Sequence, residues 1–456
     1  MTTPKIVIIG GSDAGISAGL RVKELARDVE VTMILADQYP NFSICGLPFY
    51  LSGEITDWRT LAHRTTDEIA KENIKVVTRH YVTAIVPDQK QIFATDAAGH
   101  EKAFSYDKLV ISTGGRSVLP DFPGIDLPGV FSLRWMQDSF KFQEYLSTCH
   151  PTSIVIIGAG YIGMEMADAM IRRGLSVTVV EYLPAVLTTF DQAFGDLVQT
   201  ELEKHGVQVF TGFSVNRIES TGGKLSVCSS TAAIAADMVL VAIGSQPESR
   251  LAKAAGIATG VKGAISVNQR METNILNIYA AGDCTETYHR LFCENTYLPL
   301  GTTAHKQGRV AGENAAGGNR EYTGTLGTQS VKIFNLVAAR TGLKDNEARG
   351  DGFSPLSVDI DAWDHKFYYP RAEKLHLRIT GDKNTGKLLG MQIIGTYGTE
   401  ISKRIDTVAA AIHHGMTVEA LNDLDLSYTP PLSSPWDPVQ MAAQAWMRAS
   451  RLVSTG

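Results

Sequence analysis

Lys5-Ile6-Val7-Ile8-Ile9 is an unbroken apolar, β-branched run. That is the pattern of a strand buried on both faces of a parallel sheet. A glycine-rich loop follows, Gly10-Gly11-Ser12-Asp13-Ala14-Gly15, and residues 16–25 carry the apolar spacing of a helix. Residues 29–35 predict a second strand, with Asp37 roughly 20 residues beyond the last glycine. The unit then recurs. Residues 154–157 predict a strand, and Gly158-Ala159-Gly160-Tyr161-Ile162-Gly163 predicts a loop entering a helix that runs to Gly174. Ser176–Val180 predicts a strand that ends at Glu181.

Each unit has the parts of a dinucleotide site. The first glycine makes a tight turn and the last lets helix and strand pack closely. The helix N-terminus then faces a pyrophosphate, and the acid after the second strand (Asp37 or Glu181) reaches a ribose hydroxyl. The second loop has all three glycines. The first has Ser12 at the middle position, followed by Asp13, which restricts the approach of backbone to phosphate.

Later segments repeat the strand-to-glycine-turn pattern. Residues 108–115 run into a turn holding Thr113 and Gly114, and residues 237–244 end at Gly244. Both read as crossovers between nucleotide units. Residues 277–283 predict a buried strand ending in a turn with Gly282 and Asp283, and Gly301–Ala315 reads as a helix. From Leu326 the texture becomes α+β. Strands are expected at 375–379 and 387–394, a corner at Tyr368-Tyr369-Pro370, and helices at 400–413, 418–424 and 439–453. The expected fold is therefore α/β, with two Rossmann-like units and a C-terminal α+β unit, divided as 1–118, 119–245, 246–325 and 326–456.

Composition narrows the function. The 456 residues are 44% hydrophobic and 20% charged, which is ordinary globular composition. The net charge of −6 argues against a general nucleic-acid binder. No apolar run reaches the ~18 residues of a membrane span. The apolar start, residues 1–11, lacks a cleavable-signal layout, so a cytoplasmic location is expected. Five cysteines, Cys45, Cys149, Cys228, Cys284 and Cys293, form no C-x-x-C pair, and no metal site is expected. Cys149, Cys228 and Cys284 read as buried structural residues, whereas Cys293 stays open between roles. Cys45 differs. It stands in Asn41-Phe42-Ser43-Ile44-Cys45-Gly46-Leu47-Pro48, where Pro48 marks the first turn of a helix. A helix N-terminus favours a thiolate, so a lowered thiol pKa is expected.

Taken in order, these segments resemble the pyridine nucleotide–disulfide oxidoreductase flavoproteins along essentially the whole chain. The resemblance implies FAD on the first loop, NAD(P)H on the second, and a C-terminal domain that makes a homodimer. It implies that Asp283 holds the FAD ribityl chain, and that Tyr161 and Glu165 stand by the nicotinamide pocket. The cysteine pair of glutathione-reductase-like members is missing. The Cys45 segment instead resembles the single-cysteine branch of coenzyme A disulfide and persulfide reductases, NADH oxidases and NADH peroxidases. That branch has Ser-Phe-x-x-Cys, and Asn41 replaces its serine here. Oxidase and peroxidase members carry a histidine three residues after the first glycine; this chain has Asp13 there. The disulfide- and persulfide-reducing members bring tyrosines from the partner subunit, which points to Tyr428 and to Tyr368 or Tyr369.

The leading expectation is an NAD(P)H-dependent flavoprotein that reduces a small disulfide, persulfide or polysulfide. The alternatives are an NADH oxidase or peroxidase cycling Cys45 through a sulfenic acid, and a flavin-bound redox sensor. NADH is expected over NADPH, because Glu181 is followed by Tyr182-Leu183-Pro184 with no basic residue for a 2′-phosphate. Coenzyme A as substrate would need cations for its phosphates. Arg21, Lys23, Arg64 and Lys71 are the candidates, with Phe42 and Ser43 flanking the cysteine.

Overall fold

The first sheet holds five parallel strands in the order Ile278–Ala280, Lys108–Ile111, Lys5–Ile9, Glu30–Ile34, Ile74–Val77. The computed structural model describes residues 4–454. The central strand is buried from Ile6 to Ile9, as its apolar run requires. Helix Asp13–Leu25 covers one face and packs on helix Gly301–Ala315. The two helices approach so closely that a side chain at Gly308 or Gly312 would collide with the carbonyl oxygen of Ala14 or Ala18. This approach, together with the returning edge strand Ile278–Ala280, brings residues near 283 and 305 beside the first glycine loop.

A second sheet has the order Gln208–Phe210, Ser176–Val180, Ser153–Ile157, Met238–Val241, Val130–Ser132, again parallel. The chain passes between the two sheets through an antiparallel ribbon, Gly115–Ser117 with Ser245–Pro247. Two three-stranded meanders, His80–Ser105 and Arg217–Ala236, were not among the sequence-based expectations. Their strands are short and mostly exposed or half-buried, so no long apolar run marks them.

The C-terminal unit is a five-stranded antiparallel sheet, Gln329–Ile333, Leu336–Gly342, Leu388–Thr396, Lys374–Asp382, Pro355–Trp363 in spatial order. Helices Ile401–His413, Val418–Asn422 and Pro438–Ser454 accompany it. The expected strands at 375–379 and 387–394 prove longer, and the helix expected over 418–424 stops earlier. This unit is tied to the second sheet's unit by polar contacts. Phe334 N donates to Asp168 at 2.8 Å, Lys344 Nζ to the Thr188 carbonyl at 2.8 Å, and Gln392 Nε2 to Asp191 at 2.7 Å. The short helix Leu47–Ser52 buries Leu47 and Leu51 in one core with Met164 and Met170 of helix Tyr161–Arg172 and with Val331. That core fixes the Cys45 segment against the second nucleotide unit. Among the described residues, no helix is long and apolar enough to cross a membrane.

Candidate active site

Both glycine loops are shaped as a dinucleotide cradle. Gly10 adopts φ +101, and a side chain there would strike the Ser112 carbonyl; one at Gly15 would strike Gly10 itself. Only glycine permits that turn and that close helix approach. Gly158 (φ +107) and Gly163 repeat the arrangement against Ala242 and Gly158. Ser12 and Gly160 occupy the two helix N-cap positions, and neither makes a side-chain cap bond. The space beside Gly160 is open. Two helix N-termini with free amides fit two pyrophosphates. Glu181 sits at the mouth of the second loop, where its carboxylate accepts from Ala159 N at 2.7 Å and Leu183 N at 2.8 Å. Asp37 is part-buried beyond the second strand and accepts from Tyr39 N at 3.0 Å. Thr113 Oγ1 donates to the Glu248 carbonyl at 2.6 Å, and Gly114 and Gly244 both turn with positive φ. A side chain at Gly282 would press on Ala14. The residues present therefore fit FAD and NAD(P)H.

Cys45 lies in a single 3-10 turn, Ile44–Gly46, directly before helix Leu47–Ser52, with Pro48 in the first turn of that helix as expected. Phe42 pairs with Ala62, and Ser43 N donates to the Leu61 carbonyl at 2.8 Å. These contacts hold the segment as a fixed strap. Cys45 is surface-accessible, yet its thiol is pushed above the ordinary range. Desolvation by its neighbours is the first cause, followed by the charges of Glu165, Asp13 and Asp283, with Arg134 opposing. The expected lowering is therefore corrected. The following helix is only six residues long, and burial, with three carboxylates brought from distant segments, outweighs it. Of the other cysteines, Cys228 and Cys284 are buried as expected, but Cys149 and Cys293 are exposed. Cys149 is the last residue of helix Met136–Cys149 and not a core residue. Cys284 donates to the Ala281 carbonyl, and burial pushes its thiol up to about 11.

Two charged groups at this site escaped the sequence reading. Arg134 Nη2 donates to Asp283 Oδ2 at 2.5 Å. His305, on helix Gly301–Ala315, has Nδ1 2.8 Å from Ser17 Oγ and Nε2 3.4 Å from Asp13 Oδ1. Asp13 is thus engaged by an imidazole from a segment far along the chain. His305 also lines a cavity of about 660 Å³ with Asn41, His63, Arg64, Glu68, Lys71 and Glu72. Asn41 is 1% exposed, has φ 55, and buries an Oδ1 that has no hydrogen-bond partner. Its left-handed backbone is a conformation that asparagine tolerates better than most residues. Arg64 and Lys71 are brought to this cavity as proposed from sequence; Arg21 and Lys23 are not among its lining residues. Arg21 pairs with Glu24 and Glu313, both at 2.7 Å. Lys23 is 8% exposed and donates to the carbonyls of Arg27 and Val29, so its ammonium is withdrawn from any ligand.

Glu165 lines a second cavity of about 390 Å³ with Phe49, of the helix that follows Cys45, and with Lys332, Tyr397 and Glu400. Burial and the neighbouring Asp168 raise its carboxyl to about 7, against Lys332. Burial pushes the Tyr161 phenol up to about 12. Ile162 is 37% exposed at the start of the same helix. Tyr368, Tyr369 and Tyr428 are exposed on the C-terminal unit. Lys366 N donates to the Pro430 carbonyl at 3.3 Å, and Tyr369 N to Lys366 at 2.8 Å, so both tyrosine segments share one edge. Phe367, Leu432 and Trp436 are exposed on the same segments.

Residues 4–308 match the family described as pyridine nucleotide-disulphide oxidoreductase, and residues 328–438 match its dimerisation domain. The chain is 34% identical over 453 residues to the NAD(P)H sulfur oxidoreductase (CoA-dependent) of Pyrococcus furiosus, covering 97% of this chain and 99% of that one. It is 32% identical over 442 residues to an NADH oxidase of Methanocaldococcus jannaschii, covering 96% and 98%. The structure of an NAD-dependent persulfide reductase from A. fulgidus superposes with a TM-score of 0.94 at 34% identity, covering 98% of this chain and 83% of that one.

Proposed function

The chain belongs to the pyridine nucleotide–disulphide oxidoreductases, an FAD- and NAD(P)-dependent family of enzymes, and on that premise we propose that it reduces a small-thiol disulfide, persulfide or polysulfide through Cys45 alone. The observation that carries this reading is the placement of Cys45. It is an accessible thiol on a fixed strap between the two nucleotide units, with no second cysteine in its segment. The cavity lined by Asn41, Arg64, Lys71 and His305 adjoins that strap. Its cations suit the phosphates of a coenzyme A-type thiol, and the unpartnered Asn41 Oδ1 suits an amide N–H of the pantetheine arm.

When bound, FAD supplies the relay of electron pairs from NAD(P)H to sulfur. The helix N-termini at Ser12 and Gly160 hold the two pyrophosphates, and Asp37 and Glu181 accept from ribose hydroxyls. Ala14, Gly15, Thr113, Gly114 and Gly282 shape the first site and Asp283 closes it. Gly163, Ile162, Tyr161, Glu165 and Gly244 shape the second. NADH is favoured over NADPH by the Glu181 carboxylate. The Cys45 thiolate attacks one sulfur of the substrate, forms a new S–S bond and expels the other sulfur as a thiolate. Tyr428, with Tyr368 or Tyr369, reaches the site from the partner of a homodimer and protonates or stabilises that leaving thiolate. Two electrons and a proton from NAD(P)H then cleave the mixed disulfide, releasing the second sulfur as a thiol and returning Cys45 as the thiolate. Reduced cysteines and a cytoplasmic setting suit this chemistry.

The test is Cys45→Ser. The variant should keep FAD and still be reduced by NADH, yet lose turnover of coenzyme A disulfide by orders of magnitude. Retained turnover would move the chemistry away from Cys45, and oxygen or peroxide consumption outpacing disulfide turnover in the parent protein would favour the oxidase reading.

A further inference from the structure

The loop that carries Tyr368 and Tyr369 joins strands Pro355–Trp363 and Lys374–Asp382. Its neck is closed by Asp364 and Glu373. Asp364 N donates to the Glu373 carbonyl and Glu373 N to Asp364 Oδ1, both at 2.9 Å. Behind the neck lies His365, 8% exposed, with Nδ1 2.9 Å from Asp364 Oδ2. Its Nε2 stands 3.3 Å from the Pro370 carbonyl, across the loop. Its ring meets the Tyr369 ring edge-on, with centroids 5.8 Å apart at 72°. One buried imidazole thus ties the far end of the tyrosine segment back to its start.

The same buried framework holds the Tyr428 segment. Arg404, on helix Ile401–His413, donates to the Asp364 carbonyl at 2.7 Å and to Asp437 Oδ2 at 3.1 Å. Asp437 Oδ2 also accepts from Ser433 Oγ at 3.0 Å. An apolar core of similar volume would hold a plain hairpin at least as stably as these charged groups do. What they add is direction, because each hydrogen bond fixes one side of a planar group. The phenols need that support from beneath: Tyr368 is 63% and Tyr369 44% exposed.

We propose that His365, backed by Asp364, is a positioning residue that sets the reach of the Tyr368-Tyr369 phenols toward Cys45 of the partner subunit. The inference rests on the reading of these tyrosines as acid groups for the leaving thiolate. His365 is buried under the loop and acts through it. An acid group must come within hydrogen-bond reach of the atom it protonates, and a displacement of about 1 Å can cost about 10² in rate. Binding of substrate and reduction by NADH do not pass through this loop. The thiol step alone should therefore respond to His365.

The experiment uses the FAD-loaded dimer, reduced by NADH and then mixed with coenzyme A disulfide in a stopped-flow instrument. His365→Phe keeps a ring against Tyr369 and loses both hydrogen bonds. His365→Gln keeps a donor that reaches the Pro370 carbonyl. His365→Phe should slow the thiol step by roughly tenfold to a hundredfold, with KM for the disulfide and reduction by NADH within about twofold of the parent. His365→Gln should recover the rate to within about threefold. Amide exchange in 366–370 should be faster in His365→Phe and near the parent's in His365→Gln. Coupling to the phenols is read in a Tyr368→Phe, Tyr369→Phe background. There His365→Phe should cost less than about twofold more, because nothing is left for it to position. An undiminished rate or unchanged exchange in His365→Phe overturns the proposal. Equal losses in the Gln and Phe variants, or the same loss with and without the loop phenols, overturn it too. If light scattering shows that His365→Phe has lost the dimer, Asp364→Asn takes its place, since it keeps an oxygen for Glu373 N and removes the carboxylate behind the ring. A rate in Asp364→Asn equal to the parent's then overturns the proposal. Full turnover after removal of both loop phenols would instead defeat the reading of the tyrosines, and the role of His365 with it. Turnover that needs those phenols but ignores His365 defeats the positioning role alone.

Discussion

Arg134 and Asp283 meet in an ion pair of 2.5 Å that links the segment after the strand Val130–Ser132 to the turn after Ile278–Ala280. The two residues act on Cys45 with opposite signs, the carboxylate raising its thiol and the guanidinium lowering it. The pair thus leaves the cysteine less anionic-repelled than Asp283 alone would. Arg134→Met removes a cation that lowers that thiol. The alkylation rate of Cys45 by iodoacetamide, measured against pH, should shift to higher pH in the variant. The side chain is 18% exposed, so its charge is only partly screened by water. An unchanged or lower midpoint would show that Arg134 does not tune Cys45.

Much of the scaffold was legible in the sequence because its signals are local. Residues 5–15 and 154–163 spell strand, turn and helix start within one short stretch, and Cys45 stands next to the Pro48 that marks its helix. The site's electrostatics were not legible, because they are assembled from afar. His305 meets Asp13 only because Gly308 and Gly312 let two helices touch. Arg134 meets Asp283 only because a late strand returns to the edge of the first sheet. A thiol at a helix start reads as activated until Glu165, Asp13 and Asp283 are seen around it. Lys23 reads as a surface cation on a helix until its ammonium is found on the Arg27 and Val29 carbonyls.

Glu165 yields a pH prediction with a definite sign. Its carboxyl is raised to about 7 in the folded chain, chiefly by burial, against about 4.3 when unfolded. Between these values the native state holds a proton that the unfolded state has released. Folding stability attributable to this group therefore falls as pH rises from about 4.5 towards 7, and stays reduced above that. Glu165→Gln has no such loss. In chemical denaturation it should match the parent protein near pH 4.5 and exceed it near pH 8, by up to roughly 3 kcal/mol. A constant difference between the two proteins across this range would contradict the raised carboxyl.

The proposed preference for NADH rests on Glu181. The carboxylate is fixed between Ala159 N and Leu183 N at the mouth of the second loop, where a 2′-phosphate would bring like charge against it. The protein should show kcat/KM at least about tenfold higher with NADH than with NADPH, equivalent to about 1.4 kcal/mol. Glu181→Ala should narrow that ratio, mainly by improving NADPH. A parent protein that uses NADPH equally well would show that another residue governs the choice.

The last prediction asks which chain supplies the phenol. Tyr368, Tyr369 and Tyr428 lie exposed on one edge of a C-terminal unit that matches a dimerisation domain, among exposed Phe367, Leu432 and Trp436. An edge so apolar is suited to burial against a second copy. Tyr428→Phe alone should leave reduction by NADH intact and slow the thiol step by roughly 10²–10⁴, the range of a lost acid–base group. The decisive form mixes subunits. A heterodimer of Cys45→Ser with Tyr428→Phe has, if the tyrosine acts across the interface, one site that pairs an intact Cys45 with an intact Tyr428, and one site that has neither. It should recover about half the parent turnover of coenzyme A disulfide, although each homodimer is nearly inactive. If Cys45 and Tyr428 work within one chain, each site of the heterodimer carries one lesion, and no activity returns.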